Sequence, residues 1–303
     1  MTDATAPSLP AGTRLGRTAL RVNDLESMID FYRTVVGLAV IERIDDGATL
    51  GVDDVPLLVL REDADAPKRG REQAGLFHNA FLFPSHAALG AALERVRERW
   101  TLDGASDHRV SEALYLSDPE GNGVELYRDR PRAAWPTTAD GGVEMPTLPL
   151  DLDDVAAESD GTSPAPAGTT LGHVHLEVSS VPTAREFYVR TLGFDVQMDV
   201  GSALFVSAGG YHHHLGLNAW NRRSEPAGGR GLDWFEVVLP SADAVHAVRS
   251  RLENTGVAVA ERDVADCDAT DRDVDVADTD SVTGIEFVDP DGIGIRLRSA
   301  SVY

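Results

Sequence analysis

The sequence predicts an α+β protein built from four tandem β-α-β-β-β modules. The first observation behind this is an internal repeat. Leu15-Gly16-Arg17-Thr18-Ala19-Leu20-Arg21-Val22 is answered by Leu171-Gly172-His173-Val174-His175-Leu176-Glu177-Val178, Asp30-Phe31-Tyr32 by Glu186-Phe187-Tyr188, and Gly37-Leu38 by Gly193-Phe194. All three pairs keep one offset, 156 residues, which chance matching does not explain. The second observation is that each copy reads as an alternating strand, a helical segment and three short strands. The third is that a related unit follows each copy. Both of these units end in the same turn, Asp118-Pro119-Glu120-Gly121 and Asp289-Pro290-Asp291-Gly292.

Each element has a local reason. In the first and third modules the helix begins near Asp24 and Ser180, whose short polar side chains suit an N-cap. Met28, Phe31, Tyr32 and Val35 recur at helical spacing, and Gly37 and Gly193 stand where a left-handed C-cap residue is expected. In the third module the later strands are read as 195–200, 203–207 and 213–219. The second and fourth modules open on the similar strands Leu76–Ser85 and Leu232–Ser241, and Ala-rich helices follow near Ala87–Trp100 and Ala242–Asn254. In Asp118-Pro119-Glu120-Gly121-Asn122-Gly123, Pro presets φ and Gly supplies positive φ. The apolar runs Ala113–Leu116 and Val124–Tyr127 flank that turn as strands, so Glu125 is held rigidly near the start of one.

The modules span about 13–62, 75–130, 169–221 and 231–299. They group into an N-terminal unit over 13–130 and a C-terminal unit over 169–300, joined by a linker over 131–168 that is rich in Pro, Gly, Thr and Asp. An acidic insertion, Asp263–Asp280, interrupts the fourth module and reads as an exposed loop.

Composition excludes several classes. Net charge is −23, and no basic patch is available to neutralise phosphates, so nucleic acid and anionic membrane are not expected partners. Lys68 is the only lysine among 27 basic residues. Such an excess of carboxylates repels itself unless salt screens it, which points to a salty cytoplasm. Cys267 is the only cysteine, so neither an intrachain disulfide nor a thiolate cluster is expected. The segment Met1–Gly12 lacks the basic and apolar regions of a signal peptide, and no apolar run is long enough to span a bilayer. A cytoplasmic location is the expectation. The oligomeric state stays open, with a homo-oligomer compatible.

Tandem modules carrying Phe-Tyr-x-x-x-x-Gly and Asp-Pro-x-Gly resemble the vicinal oxygen chelate superfamily, which includes glyoxalase I, fosfomycin-resistance enzymes, bleomycin-binding proteins and type I extradiol dioxygenases. The longer stretches His212-His213-His214-Leu215-Gly216-Leu217-Asn218-Ala219-Trp220 and Ser106-Asp107-His108-Arg109-Val110-Ser111-Glu112-Ala113-Leu114-Tyr115 are similar to two-domain catechol 2,3-dioxygenases. The resemblance implies U-shaped sheets, each closed by two modules around a cup. It also implies a metal bound by the first strands of both modules and the last strand of one.

The first-strand position holds Arg17, His78, His173 and Trp234 in modules one to four, and the last-strand position holds Glu125 in module two and Arg296 in module four. Neither half has a complete set. Modules two and three together do, in His78, His173 and Glu125, so module two is expected to pair with three and one with four. Two imidazoles and a carboxylate form the facial triad of Fe(II), with Mn(II) the alternative. Alternation puts both His173 and His175 on one face of their strand. Correspondence with the family ligand selects His173.

The resemblance further implies that His213 is the acid/base and that Tyr115 hydrogen-bonds the bound phenolate. Alternation would turn His212 and His214 to the opposite face. His108 stands near a second-sphere histidine of the family, although two extra residues separate it from Tyr115. The implied reaction opens an aromatic diol beside its hydroxyls with O2. Two other readings are a glyoxalase-like metalloenzyme, which would carry a further carboxylate where this chain has His213–Asn218, and a non-enzymatic ligand-binding protein.

Overall fold

A computed structural model describes residues 8–138, 141–159, 161, 164–263 and 283–300. Most of the acidic insertion, with Cys267, lies outside the described residues.

Among the described residues, two eight-stranded sheets form the body. The first and fourth modules share one of them. It contains β1 (Arg14–Val22), β2 (Ala39–Ile44), β3 (Gly47–Val52), β4 (Val55–Glu62), β13 (Gly231–Leu239), β14 (Ala260–Asp263), β15 (Thr283–Val288) and β16 (Gly294–Ser299), in the order β14-β15-β16-β13-β1-β4-β3-β2. The second and third modules share the other. It contains β5 (Gly75–Leu82), β6 (Gly104–Asp107), β7 (Ser111–Ser117), β8 (Gly123–Asp129), β9 (Thr170–Glu177), β10 (Asp195–Asp199), β11 (Ala203–Ser207) and β12 (Leu215–Asn218), in the order β10-β11-β12-β9-β5-β8-β7-β6. Each curled sheet is therefore assembled across the two halves of the chain, two with three and one with four. The seam of the second sheet is the antiparallel pair β5–β9, where His78 faces His175 and Ala80 faces His173.

Among the described residues, five α-helices cover the sheets: α1 (Leu25–Phe31), α2 (His86–Arg99), α3 (Leu152–Ala157), α4 (Val181–Arg185) and α5 (Ala242–Asn254). Asp24 and Ser180 cap α1 and α4 by accepting from the Ser27 and Thr183 amides. Both helices continue as a wider, π-helical turn, Tyr32–Val36 and Glu186–Leu192, stopped by Gly37 at φ 94° and Gly193 at φ 96°. Met28, Phe31, Tyr32 and Val35 are all buried, as their spacing requires. One continuous apolar core runs beneath the sheets and helices.

Two differences from the sequence reading matter for the site. Strand β12 begins at Leu215, so His213 precedes it on a bent connection rather than lying within it. Glycines at 209 and 210, with φ of 62° and 65°, turn the chain out of extended geometry just before the His triplet. The 131–168 segment does more than span the gap between the halves. It carries α3, buries Val155, and pairs Leu148 with Asp107 at the end of β6.

Candidate metal centre and its cavity

His78 on β5, Glu125 on β8 and His173 on β9 converge inside the second sheet. Glu125 Oε2 lies 2.9 Å from His78 Nε2 and 3.1 Å from His173 Nε2, and the two Nε2 atoms are 3.3 Å apart. All three side chains are buried. Strand geometry produces this meeting. His78 aligns with Gly123 in the parallel β5–β8 pair, two residues before Glu125. A Cβ on Gly123 would collide with the Phe77 carbonyl, so glycine permits β8 to start flush against β5.

The charges suit ligation. Burial pulls the His173 imidazole down to about 4 against the opposing pull of Glu125, so the ring is neutral at neutral pH. Burial alone would raise Glu125, but His173 and His78 beside it hold the carboxyl well below its usual range. A neutral imidazole and an ionised carboxylate are the forms that bind metal. His173 is steadied by ring packing, on Tyr127 at 4.8 Å and His213 at 4.1 Å between centroids, and its Nδ1 has no hydrogen-bond partner. His175 also faces the cavity, with its ring 4.9 Å from that of His78, but it stands outside the convergent trio. Gly216 opposite leaves room for that ring, since a Cβ would lie 2.7 Å from His175 Cδ2.

A cavity of about 460 Å³ opens beside the trio. Tyr115, His108 and His213 all line it. The Tyr115 hydroxyl is 2.7 Å from His108 Nε2, and His108 Nδ1 is 2.8 Å from the Pro146 carbonyl. A carbonyl only accepts, so Nδ1 carries the hydrogen and a neutral ring accepts the Tyr115 hydroxyl at Nε2. His108 stands in the β6–β7 turn, where Arg109 takes φ 63°. Burial, and then the charge of Glu125, push the Tyr115 phenol well above its usual value, so it stays protonated.

A second chain of bonds reaches His213. His212 Nε2 is 2.8 Å from Asp129 Oδ1, and His212 Nδ1 is 2.8 Å from His213 Nδ1. The carboxylate accepts, so Nε2 of His212 carries the hydrogen. A neutral His212 then accepts from His213 Nδ1–H, leaving a lone pair on His213 Nε2. Burial, followed by the neighbouring histidines, holds His213 well below the usual imidazole range. His214 accepts the Ala208 amide at Nδ1 and is buried away from this cavity.

The model of the Glyoxalase/Bleomycin resistance protein/Dioxygenase superfamily matches residues 14–126 and 170–297. The chain belongs to this superfamily. It is 40% identical over 265 residues to the catechol-2,3-dioxygenase of Bacillus subtilis (strain 168), covering 84% of this chain and 92% of that one. Among solved structures, a candidate dioxygenase from Bacillus subtilis (strain 168) aligns with TM-score 0.64 at 14% identity, covering 96% of this chain and 86% of that one. Glyoxalase I from Zea mays aligns with TM-score 0.55 at 16% identity, covering 95% and 92%. At those identities the structural likeness speaks for the superfamily fold alone.

The second superfamily cup is filled differently. The Arg296 guanidinium stacks 3.6 Å from the centroid of Trp234 and bonds Glu286 at 2.9 Å, and Arg17 lies 3.6 Å from Glu236. Two cations, Arg17 and Arg296, and the indole of Trp234 occupy the strand positions that correspond to His173, Glu125 and His78 in the other cup. Among the described residues, only His78, Glu125 and His173 come together as a potential metal set.

Sequence reading missed Asp129 and His212, because their pairing depends on the bend before β12. It also missed Met145, Pro146 and Thr147, which reach the cavity wall or His108 from the segment read as a linker. That segment carries no periodic signal.

Proposed function

We propose that this protein is an extradiol ring-cleaving dioxygenase that opens catechol-type diols with O2 at a single metal ion. The observation that carries the reading is the convergence of two imidazoles and a carboxylate within 3.3 Å at the wall of a buried cavity. The kinship with a catechol-2,3-dioxygenase at 40% identity supports it. Held by His78, His173 and Glu125, an Fe(II) ion, or Mn(II) in its place, would polarise the diol oxygens and connect them electronically to O2.

The remaining roles fall to the chain. Tyr115, fixed by His108, offers its oxygen to a diol hydroxyl and stays protonated. His213 presents the Nε2 lone pair and takes the proton that the diol gives up on binding, then returns it during ring opening. Phe77, Phe205, Met198 and Val110 line the cavity with apolar surface and keep bulk water from the reacting atoms. A glyoxalase-like lyase would need a further carboxylate near β12, and the run His213–Asn218 has none. A cytoplasmic setting, with a small aromatic diol and O2 as the partners, completes the proposal.

The test is anaerobic purification, loading with Fe(II), and measurement of O2 uptake with catechol. The expected result is stoichiometric uptake with a yellow ring-opened product. Full metal loading without O2 uptake would overturn the assignment.

A further inference from the structure

A second cavity, of about 270 Å³, lies between the two sheets. Leu15 and Gly16 of β1 line it from one sheet, and their repeat counterparts, Leu171 and Gly172 of β9, from the other. It therefore sits on the seam that relates the two halves of the chain. A Cβ on Gly16 would strike Glu236, and one on Gly172 would strike the Tyr127 hydroxyl, so glycine lets both side chains lie flat across their neighbouring strands. The turn that carries the His triplet has two faces. His213 lines the metal-centre cavity, whereas Tyr211 and His214 line this one.

The lining is charged against the sign of the whole chain. Arg14, Arg17 and Arg298 face a single carboxylate, Glu236, in a protein of net charge −23. Glu236 is buried and lies 3.1 Å from Arg298 Nε and 3.6 Å from Arg17 Nε. Among the described residues, Arg14 hydrogen-bonds only the Leu15 carbonyl, at 3.4 Å. Burial, then the charge of Arg298, pull the Arg14 guanidinium below its usual range against the opposing pull of Glu236, and a further anion here would relieve both cations. His214 adds a donor. Its Nδ1 accepts the Ala208 amide at 3.2 Å, and burial pulls the imidazole down to about 3, so the neutral ring carries its hydrogen on Nε2. The ring is only 7% exposed, and among the described residues that Nε2–H has no acceptor. A bound acceptor would recover the free energy that such a donor costs. The rest of the wall is apolar, with Val55, Leu57, Leu82 and Leu171.

We infer that the inter-sheet cavity is a binding site for a small carboxylate with an apolar body, its charge held by Arg14, Arg298 and His214 and its body by Leu57, Leu82 and Leu171. A guanidinium presents parallel donors that match the two oxygens of a carboxylate. Aliphatic walls give nothing back to an inorganic anion that must shed its water to enter. The volume is just under the usual range of ligand pockets, which limits the occupant to about the size of benzoate. The site shares no lining residue with the metal-centre cavity, so its occupancy does not depend on the dioxygenase reading.

The probe is benzoate, titrated by calorimetry into the metal-loaded full chain under argon, at fixed ionic strength and with catechol in excess. Benzyl alcohol serves as the uncharged comparison and inorganic phosphate as the anion without an apolar body. One benzoate per chain should bind. Benzyl alcohol should bind roughly 10–10²-fold more weakly, the worth of hydrogen bonds to a charged group, and phosphate should be weaker than benzoate too. Arg14 and Val55 are exposed at the mouth, Val55 to 53%, so Arg14→Gln and Val55→Glu should keep the fold. Each should weaken benzoate on the order of 10-fold and leave catechol binding unchanged. Displacement of benzoate by catechol places it at the metal centre and overturns the inference. Unchanged benzoate affinity in both variants overturns it as well, as does equal affinity for benzyl alcohol. Phosphate binding as tightly as benzoate overturns the assignment of the ligand as an apolar carboxylate.

Discussion

The Tyr32 hydroxyl donates to Oδ2 of Asp118 at 3.1 Å across 86 residues of chain, and Tyr188 does the same to Asp289 at 2.8 Å across 101. The two repeated motifs are thus each other's partners. The aspartate also accepts amides of its own turn, from Glu120 and Asn122 in one unit and from Asp291 and Ile293 in the other. The acidic residue after the proline points back to the start of the helix. Glu120 accepts the Asn23 and Asp24 amides, and Asp291 accepts that of Ser179. Each Asp-Pro-x-Gly turn clamps the helix of the preceding module, and so ties one sheet to the other.

Tyr32→Phe and Tyr188→Phe should each destabilise the fold by about 1.5–3 kcal/mol, the range for a buried hydrogen bond to a charged group. Because the two sites lie in different units, the double variant should lose about the sum. Denaturant unfolding at fixed salt measures this. A change below about 0.5 kcal/mol in both single variants would mean the clamp contributes no stability.

His78→Ala, His173→Ala and Glu125→Ala should each abolish metal retention in washed, metal-loaded protein, because a facial triad has no spare ligand. His175→Ala should keep the metal, although its ring lies on the same strand face. Arg296→Ala should keep it too, since Arg296 belongs to the other cup. Metal analysis by mass spectrometry decides. A stoichiometry near two per chain, or full metal in His173→Ala, would defeat the single-site assignment and turn attention to His175.

The trio was legible in the sequence through the family resemblance, which implies ligands on the first strands of two modules and the last strand of one. Given those positions, the unequal distribution of His78, His173 and Glu125 pointed to a meeting of modules two and three. His173 and His175 could not be separated by alternation. Their distinction arises from the β5–β9 register, which sets His175 beside His78 and brings His173 to Glu125. The His triplet misled for a physical reason. Alternation presumes an extended strand, and Gly209 and Gly210 break it, so His212 can swing to Asp129 while contacting His213. The apolar wall of the cavity was hidden for another reason. Phe77, Phe205 and Trp220 come from three separate segments, each of which by itself looks like ordinary strand core.

Stability should rise with salt. A net charge of −23 repels itself over a Debye length of about 10 Å at 0.1 M, which shrinks to about 3 Å at 1 M. Salt also weakens attractive surface pairs such as Arg33–Asp30 and Arg249–Glu253. Exposed pairs of this kind contribute at most about 1 kcal/mol each, so the relief of repulsion is expected to win. The check is Tm in sodium chloride from 0.1 to 3 M. A flat or falling profile would remove the case for a saline setting.

The Asp129–His212–His213 chain makes the sharpest mechanistic prediction. Asp129 fixes the hydrogen on His212 Nε2, His212 then accepts from His213 Nδ1, and His213 is left with its lone pair on Nε2. His212 is thereby a positioning residue, acting through its neighbour. His213→Ala should keep the metal and bind catechol while kcat falls roughly 10²–10⁴-fold, as for loss of a proton-transfer group. His212→Phe preserves a ring against Tyr211 and Trp135, at 4.1 and 5.2 Å, but removes the acceptor. Its kcat should fall on the order of 10-fold, less than for the base itself, with metal content and KM little changed. His212→Asn restores an acceptor near Nδ1 and should recover part of that loss, which a merely structural role for the ring does not explain. If His212→Phe keeps the wild-type kcat, or if Phe and Asn behave alike, His213 finds its tautomer without help and the chain is only a packing arrangement.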